Sequence, residues 1–296
     1  MAQIKFGGAH TERKLQKLEA YLRAYTTALK NQNFHLIYFD AFAGTGDIPR
    51  SDLEAPMFAA EEYEFFIAGS AERALNIPTK FDEYIFVESS AKKVDRLSQL
   101  LARYPDLSQR IVIERGDANI EVERFCSERN WRTSRAVVFL DPFGNQVAWE
   151  TIVAIAETEA IDLWYLFPAG LGVHRQIGRD GKIYFQHGPS LDRLFGTTDW
   201  KDAFIEEQPR RDLFGQTQSV SAKLATPESI TRFMIQRMRE VFRGGVLDIW
   251  LPLGSKGVHM YSLLFAWANP SPKAKLAGKL AQAVLRSKTS GRIKRH

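Results

Sequence analysis

The stretch that most constrains the fold is an apolar run that stops at a carboxylate. Residues 136–140 (Ala-Val-Val-Phe-Leu) are apolar without alternation, which is typical of a parallel strand covered by helices on both faces. Asp141 ends the run, Pro142 removes a backbone donor, and Gly144 lets the chain turn. The pattern predicts a central strand whose carboxyl edge carries Asp141, Pro142 and Phe143. In open α/β sheets, ligands bind at this edge.

These edge residues suit a flat substrate that carries an exocyclic amine. Asp141 and the carbonyl of Pro142 can accept the two amine hydrogens, and the ring of Phe143 can stack on the substrate plane. The same stretch also fits a strand-to-loop corner in which Asp141 caps the following helix. By itself, the stretch leaves both interpretations open.

Other strands and helices alternate along the chain. Leucines and tyrosines at helical spacing predict an amphipathic helix over 10–30. Thr226-Pro227 predicts the start of a helix, and a basic helix is expected near 273–286. Further strands are predicted at 35–40, 84–88, 110–114, 163–167, 246–251 and 259–268. This order predicts a doubly wound α/β sheet.

A glycine-rich loop follows the first strand, which ends at Asp40. The loop reads Ala-Phe42-Ala-Gly44-Thr-Gly46, and its glycines would let the backbone approach a ligand closely. It lacks the third glycine of the dinucleotide fingerprint, which disfavours a nicotinamide cofactor. It also lacks the Gly-Lys-Ser/Thr of a P-loop. The form Asp-x-Phe-x-Gly-x-Gly is instead similar to the first motif of class I S-adenosylmethionine-dependent methyltransferases. A tight turn after a strand is the structural alternative.

Two more carboxylates follow predicted strands. Glu88 ends the second strand, where Rossmann-type folds hold ribose hydroxyls. Its distance from Asp40, 88 − 40 = 48 positions, is long for this role, but an insertion over 48–68 accounts for much of it. Asp117 follows the third strand, where it would accept from an adenine amino group, as in the methyltransferase family, or cap the next helix. Both interpretations of Asp117 stay open.

The motif order resembles that of class I methyltransferases, whose last strand is antiparallel. Asp40–Gly46, Glu88, Asp117 and Asp141–Gly144 follow one another as in that family. The resemblance implies a Rossmann-like sheet, mostly parallel with an antiparallel last strand. Asp-Pro-Phe-Gly resembles the catalytic Asp-Pro-Pro-Tyr of adenine and cytosine amino-methyltransferases, and more closely the Asp-Pro-Phe-Gly of tRNA guanine-N2 methyltransferases. The phenylalanine in place of the second proline leaves the target base open.

The whole chain looks like the three-Cys-motif partner (TcmP) family. The likeness runs from the N-terminal helix through Ile37–Gly46, Asp141–Trp149 and Tyr261–Pro270. Members are regarded as methyltransferases associated with a separate cysteine-motif, radical-S-adenosylmethionine-like protein. The resemblance implies methyl transfer to an exocyclic amine of a nucleobase in RNA or DNA, alongside such a partner. A non-catalytic subunit that binds S-adenosylmethionine or the partner is the alternative.

The resemblance also implies a role for each motif residue. S-adenosylmethionine would lie over the loop of Gly44 and Gly46, near Asp40 and Phe42. Glu88 would hold its ribose and Asp117 its adenine. The catalytic set would be Asp141, Pro142 and Phe143, with no metal. His174 and His187 lack metal-ligand spacing and are interpreted as polar loop residues.

We predict one methyltransferase-like domain over 1–296, with insertions at 48–68 and 169–225. The second insertion is irregular in pattern and is a candidate for substrate recognition. The net charge of +5 comes from the C-terminal end: eight Lys or Arg and no carboxylate lie in 273–296, which leaves 32 basic against 35 acidic residues elsewhere. The basic tail, 287–296, would contact phosphates or be solvated.

Cysteine content and hydropathy exclude several classes. The single cysteine, Cys126, excludes an internal disulfide framework and a Cys-based zinc or iron–sulfur cluster. Cys126 lies on the apolar side of a predicted helix and is expected to be an inert core thiol. No apolar run approaches the roughly 18 residues of a membrane span, and there is no signal-peptide pattern, so a cytoplasmic location is expected.

Overall fold

The computed structural model of the chain describes residues 9–43, 69–178, 180–183, 187–211, 217–255 and 257–287. Its helices are α1 (Ala9–Leu29), α2 (69–75), α3 (Ala91–Leu101), α4 (Ala118–Glu128), α5 (Trp149–Glu157), α6 (Gly188–Phe195), α7 (Trp200–Phe204), α8 (Pro227–Val241) and α9 (Lys275–Arg286). Its strands are β1 (His35–Asp40), β2 (Glu83–Glu88), β3 (Ile111–Arg115), β4 (Ser134–Leu140), β5 (Ile161–Phe167), β6 (Ile205–Arg211), β7 (Thr217–Lys223), β8 (Gly245–Val246), β9 (Leu251–Ser255) and β10 (Val258–Trp267). A π-helix (Ala169–His174) follows β5.

Eight strands form the main sheet. β3, β2, β1, β4 and β5 lie side by side in that order, and all four pairings are parallel. β10 is antiparallel to β5, and both β8 and β9 pair antiparallel with β10. The predicted Rossmann-like sheet, mostly parallel with antiparallel last strands, is confirmed, and it is a methyltransferase-like arrangement.

The sheet has a switch point between β1 and β4. From β1 the chain proceeds outward through β2 and β3, and it then returns to the other side of β1 as β4. Loops on either side of such a point diverge and leave a crevice at the carboxyl ends of the strands. Asp40 ends β1 and Asp141 directly follows β4, so both carboxylates flank this crevice.

Helices cover both faces of the sheet, as the uninterrupted apolar strands predict. On β4, Val137 and Phe139 pack with α1, α3 and α9. Ala136, Val138 and Leu140 point to the opposite face, into the core that also contains α4, α5 and α8. Every residue of β5 is likewise buried. Because these strands are buried on both faces, their polar chemistry is confined to their ends.

The segment 169–225 is more ordered than its pattern suggested. It contains the π-helix, α6, α7 and an antiparallel hairpin of β6 and β7. The strand predicted over 246–251 is wrong as a single element, because only Gly245 and Val246 pair with β10 before β9 begins at Leu251. Between them, the largely exposed Asp248 forms an ion pair with Arg239 of α8.

The start of α8 was predicted correctly. Thr226 caps α8 through a capping box with Ser229, as predicted. Ser70 follows the first predicted insertion and lies inside α2. The predicted insertion 48–68, Gly44, Gly46 and tail residues 288–296 fall outside the described residues. In the part of the chain that the structure describes, no helix has the length and hydropathy to cross a bilayer.

Candidate active site

A cavity of about 140 Å³ opens at the carboxyl edge of β1, β2 and β3. Phe42, Glu88 and Asp117, three residues predicted to bind the cofactor, all line it. The other lining residues are Ala41, Val87, Ser89, Gly116, Ala118, Asn119, Gln146 and Arg193. Three strand ends that are distant in sequence therefore contribute to one cavity.

Glu88 is buried at the end of β2, and its carboxylate is held by the backbone of the next turn. Oε1 accepts from the Ser90 backbone N–H at 2.6 Å and from the Ser89 hydroxyl at 3.4 Å. Hydrogen bonds to an ionised carboxylate are among the stronger ones in proteins. The orientation of Glu88 is therefore fixed by the start of α3.

Asp117 caps α4, which confirms the helix-cap interpretation. Its Oδ1 accepts from the backbone N–H groups of Asn119, at 2.9 Å, and Ile120, at 3.3 Å. The Asn119 side chain also donates to Oδ1, at 3.3 Å. All three bonds use the same oxygen of an exposed carboxylate, which has two. Capping is thus compatible with the adenine contact, which stays a prediction.

Two amide side chains connect this cavity to the loop of Asp141, and sequence analysis did not single out either of them. Asn119 accepts from the Ala148 N–H at 2.8 Å and donates to the Gln146 carbonyl at 3.0 Å. Gln146 in turn accepts from the Phe143 N–H at 2.9 Å. An amide in a loop carries no distinctive sequence signal, because its partners are set by the fold. The loop after β4 is thereby fastened to the start of α4.

Asp141 is buried and forms an ion pair that the sequence did not indicate. Lys14 Nζ of α1 lies 2.5 Å from Asp141 Oδ2, and the Lys14 side chain is 1% exposed. The same ammonium lies 5.7 Å from the centroid of the Phe139 ring. Pro142 is buried and Phe143 half-buried beside it. The three predicted catalytic residues therefore lie together, with Lys14 as an additional neighbour.

Asp40 lies in the same buried cluster, and the cavity is lined instead by the two residues that follow it. Its carboxylate accepts from the Tyr38 hydroxyl and the Phe42 N–H, both at 3.3 Å. Burial raises the pKa of Asp40 to about 7; the negative charge of Asp141 adds to this, and a hydrogen bond from Ser70 opposes it. One ammonium and two carboxyl groups thus share a buried site, in which the Asp141 side chain keeps the largest exposure, 12%.

The charges in this cluster influence one another. Burial lowers the pKa of Lys14, while the carboxylates of Asp141 and Asp40 act in the opposite direction. Tyr261 of β10 is close enough to feel Asp141: burial raises the pKa of its phenol, and the charge of Asp141 raises it further. The start of β10 therefore forms part of the surroundings of Asp141.

A close backbone approach brings the π-helix against the start of β10. A side chain at Gly170 would place its Cβ 1.9 Å from the carbonyl oxygen of His259, so only glycine fits there. This contact fixes the first part of segment 169–225 beside the carboxyl edge. The later part reaches the cavity as well, because Arg193 of α6 is one of its lining residues.

Cys126 and His174, the other candidate residues from the sequence, have surroundings that fit a structural role. Cys126 is buried, and burial raises the pKa of its thiol to about 12, so the predicted core thiol is confirmed. Burial also lowers the pKa of His174, with the charge of Lys223 adding to the effect. Among the described residues, no three His, Cys, Asp or Glu side chains are grouped as a metal site.

No family model and no curated protein matches this chain. Solved structures do match it. A Legionella pneumophila protein of the family DUF519 is 12% identical, over 79% of this chain and 94% of that one, with a TM-score of 0.37. A Thermobifida fusca protein described as a candidate methyltransferase is 11% identical, over 89% and 84%, with a TM-score of 0.38. The C-terminal domain of precorrin-6Y C5,15-methyltransferase from Rhodobacter capsulatus is 12% identical, over 68% and 87%, with a TM-score of 0.27. Scores this low carry no argument about activity, and the fold assignment rests on the strand order above.

Proposed function

We propose that this protein is an S-adenosylmethionine-dependent methyltransferase that acts on an exocyclic amino group of a nucleobase. One observation carries the proposal: Phe42, Glu88 and Asp117 line a single cavity at the carboxyl edge of β1, β2 and β3, next to the switch point of the sheet. Gln146 lines the same cavity and binds the loop that holds Asp141 and Phe143. A cofactor site and an acceptor site would therefore be adjacent.

The residues of the cavity fit an adenosyl group by their chemistry. Glu88 offers a fixed carboxylate to ribose hydroxyls, and Asp117 offers an exposed one to the adenine amino group. Gly44 and Gly46, which lie outside the described residues, are assigned to the cofactor by the motif alone. When bound, the cofactor supplies a methyl group on a sulfonium, which is a strong electrophile.

The catalytic contribution of the chain is positioning. Asp141 and the Pro142 carbonyl would accept the two hydrogens of the amine and so direct its lone pair toward the methyl carbon. The ring of Phe143 would stack on the base. Transfer of the methyl group to nitrogen would leave S-adenosylhomocysteine as the second product, and the proton lost by the methylated amine would pass to water. Orientation of this kind accounts for a large part of many enzymatic rate enhancements. A base within a duplex would have to be flipped out to reach this edge.

The resemblance to the three-Cys-motif partner family suggests a cysteine-motif, radical-S-adenosylmethionine-like protein as the partner. Segment 169–225 is the proposed recognition region, because its π-helix and Arg193 lie at the same edge as the cavity. RNA and DNA both remain candidate substrates. A cytoplasmic location, where nucleic acid is accessible and a free thiol persists, belongs to the same proposal.

The ion pair at Asp141 favours a second candidate, a non-catalytic subunit that binds S-adenosylmethionine or the partner. A carboxylate that is already paired with Lys14 has a structural role that does not require a substrate. In that case the cavity still binds the cofactor, but no methyl group is transferred.

Transfer of labelled methyl to total cellular RNA and DNA, with and without the co-purifying partner, tests the proposal. The wild type should label one nucleic acid, and Asp141→Asn should lower labelling to a small residual level while S-adenosylmethionine affinity stays within a few-fold. Asparagine is preferred to alanine because it keeps the size of the side chain beside the buried Lys14. Calorimetry, with a known methyltransferase as positive control, measures cofactor binding. Binding without transfer in every combination would favour the non-catalytic subunit, and equal activity of Asp141→Asn and wild type would place the chemistry at another strand.

A further inference from the structure

α1 places two lysines in the protein interior. Lys14 is 1% exposed and Lys17 is 3% exposed, although the helix is amphipathic and its other charged residues have water available. The ammonium of Lys17 binds the carbonyls of Val284, at 2.8 Å, and Ser287, at 2.5 Å, near the end of α9. The ammonium of Lys14 binds Asp141. One helix thus offers two buried lysines with different partners.

Stability does not explain the burial of Lys14. Removing an ammonium and a carboxylate from water is costly, and a buried ion pair commonly stabilises a fold no better than well-packed apolar residues would. α1 is already fixed by apolar side chains, including Leu18 and Leu22, which are buried against the sheet. Lys14 pairs with Asp141, the carboxylate assigned to the acceptor amine, and this indicates a functional reason for its burial.

The two sides of Asp141 are occupied by different elements. Lys14 approaches from the face that α1 covers, as its distance of 5.7 Å from the Phe139 ring shows, and Phe139 packs on that face. Gln146 and the cofactor cavity belong to the side of α4 and α5. An ionised carboxylate can accept several hydrogen bonds. Lys14 can therefore hold Asp141 from one side while an amine approaches from the other.

We propose that Lys14 is a positioning residue for methyl transfer: its ammonium fixes the orientation in which Asp141 receives the acceptor amine. This inference rests on the proposed function and adds a residue that acts only through Asp141. The opposite role, a plug that the substrate must displace, is disfavoured. Lys14 is 1% exposed between the buried Leu15 and Leu18, so an ammonium that left Asp141 would lose its partner without gaining water, which is costly.

Steady-state kinetics of Lys14→Met and Lys14→Gln test the proposal, with Lys17→Met as the matched control. Lys17 is a buried lysine one turn further along the same helix, and its partners lie on α9. Lys14→Met should lose at least about tenfold in kcat, and Lys14→Gln should lose less because its amide can still donate to Asp141; KM for S-adenosylmethionine should stay within about twofold of wild type in both. Lys17→Met should retain kcat within about threefold at a temperature at which all variants are folded.

A double mutant separates positioning from general damage. If Lys14 acts through Asp141, Lys14→Met should cause no further loss of residual activity in an Asp141→Asn background, because coupled residues are not additive. The double variant also has no unpaired buried charge at this pair, so it tests the positioning role even if Lys14→Met alone folds poorly. Lys14→Gln is a second variant for that case, because its amide can still donate to Asp141.

The outcomes are distinct. If the wild type transfers methyl groups and the Lys14 variants behave like Lys17→Met, the positioning role is overturned and the proposed function stands. Multiplicative losses in the double variant, or a Lys14→Met enzyme faster than wild type, would also overturn it, the latter in favour of a plug. A wild type that binds S-adenosylmethionine but methylates nothing would overturn the proposed function and this inference together.

Discussion

At the scale of single residues, Asp40 is the group whose protonation the fold changes most clearly at the site. A carboxyl of this type has a pKa near 3.9 in an unfolded chain. In the folded protein, burial raises the pKa of Asp40 to about 7. Between about pH 4 and pH 7 the folded state therefore holds a proton that the unfolded state has lost. The contribution of Asp40 to stability is fully present below pH 4 and is lost as the pH rises through 7.

Asp40→Asn should flatten this pH dependence, because asparagine keeps the size of the side chain and does not titrate. Urea unfolding between pH 4 and pH 8 should show a smaller decline in the free energy of unfolding than in wild type. The difference between the two declines is at most roughly 4 kcal/mol. Asp162 is a useful comparison, since burial also raises its pKa to about 7, yet it binds Tyr21 away from the cavity. Identical pH profiles for wild type and Asp40→Asn would contradict the assignment.

Glu88→Ala should weaken the binding of S-adenosylmethionine. Each lost hydrogen bond to a charged group costs roughly 1.5–3 kcal/mol, which corresponds to at least a tenfold rise in Kd. Glu83→Gln is the matched control, because Glu83 lies at the other end of β2 and binds Arg129 at 2.7 Å. Calorimetry should find near-wild-type affinity for the control. Equal affinities of both variants would remove Glu88 from the cofactor site.

At the scale of elements, the central strands could be predicted because they are buried on both faces. β1, β2, β4 and β5 are short apolar runs; a carboxylate marks the end of the first three, and Pro168 marks the end of β5. Since parallel strands share a carboxyl edge, the adjacency of Glu88 and the loop of Asp141 could be expected from the sequence alone. The hydrophobic pattern thus predicts the central strands of the sheet and the placement of Glu88 and the Asp141 loop at one edge.

Elements that depend on distant partners could not be predicted in this way. β6 and β7 form a hairpin with the sequences Ile-Glu-Glu-Gln-Pro-Arg-Arg and Thr-Gln-Ser-Val-Ser-Ala-Lys, which have no apolar face to recognise. Lys14 has the same local pattern as the solvated lysines of an amphipathic helix. Its burial depends on Asp141, which lies 127 residues away in sequence. An ion pair between residues that only the tertiary structure brings together, such as Lys14 and Asp141, has no recognisable pattern in the local sequence.

The capping box of α8 gives a prediction at this scale. Thr226 accepts from the Ser229 N–H at 3.1 Å, and α8 buries Ile230, Met234 and Met238 against the sheet. Thr226→Ala should therefore lower the free energy of unfolding by about 0.5–2 kcal/mol, without an effect on cofactor affinity. Ser98→Ala, which removes an exposed hydroxyl within α3, should change it by no more than about 0.5 kcal/mol in the same denaturation experiment. Equal effects of the two changes would speak against the cap.

At the scale of the whole molecule, positive charge is concentrated at the C-terminal end. Removal of residues 288–296 deletes Lys288, Arg292, Lys294 and Arg295. If these residues contact phosphates, nucleic-acid affinity should fall and the slope of log K against log salt should become shallower by as much as about 3. Cofactor affinity should not change.

A control for the tail comes from the same end of the chain. Lys273, Lys275 and Lys279 are exposed near the start of α9, away from the turn that Lys17 holds. Their replacement by glutamine removes comparable charge and should alter the slope less than the truncation does. An unchanged slope after truncation would mean that the tail is solvated, and the basic residues of 169–225 would then become the better candidates for phosphate contacts.

The contact of Lys17 with the end of α9 has a consequence for the path of the chain. Lys17 lies eight residues, or about 12 Å, from the first residue of α1 and binds Ser287 directly after α9. The first and last described helices therefore meet at one place on the surface. A circular permutant that links the start of α1 to Ser287 through a short flexible linker, with a new opening in an exposed loop, would keep the order of the sheet intact. Such a protein would allow reporters to be attached at a loop of choice, away from the corner at which Lys14 meets Asp141.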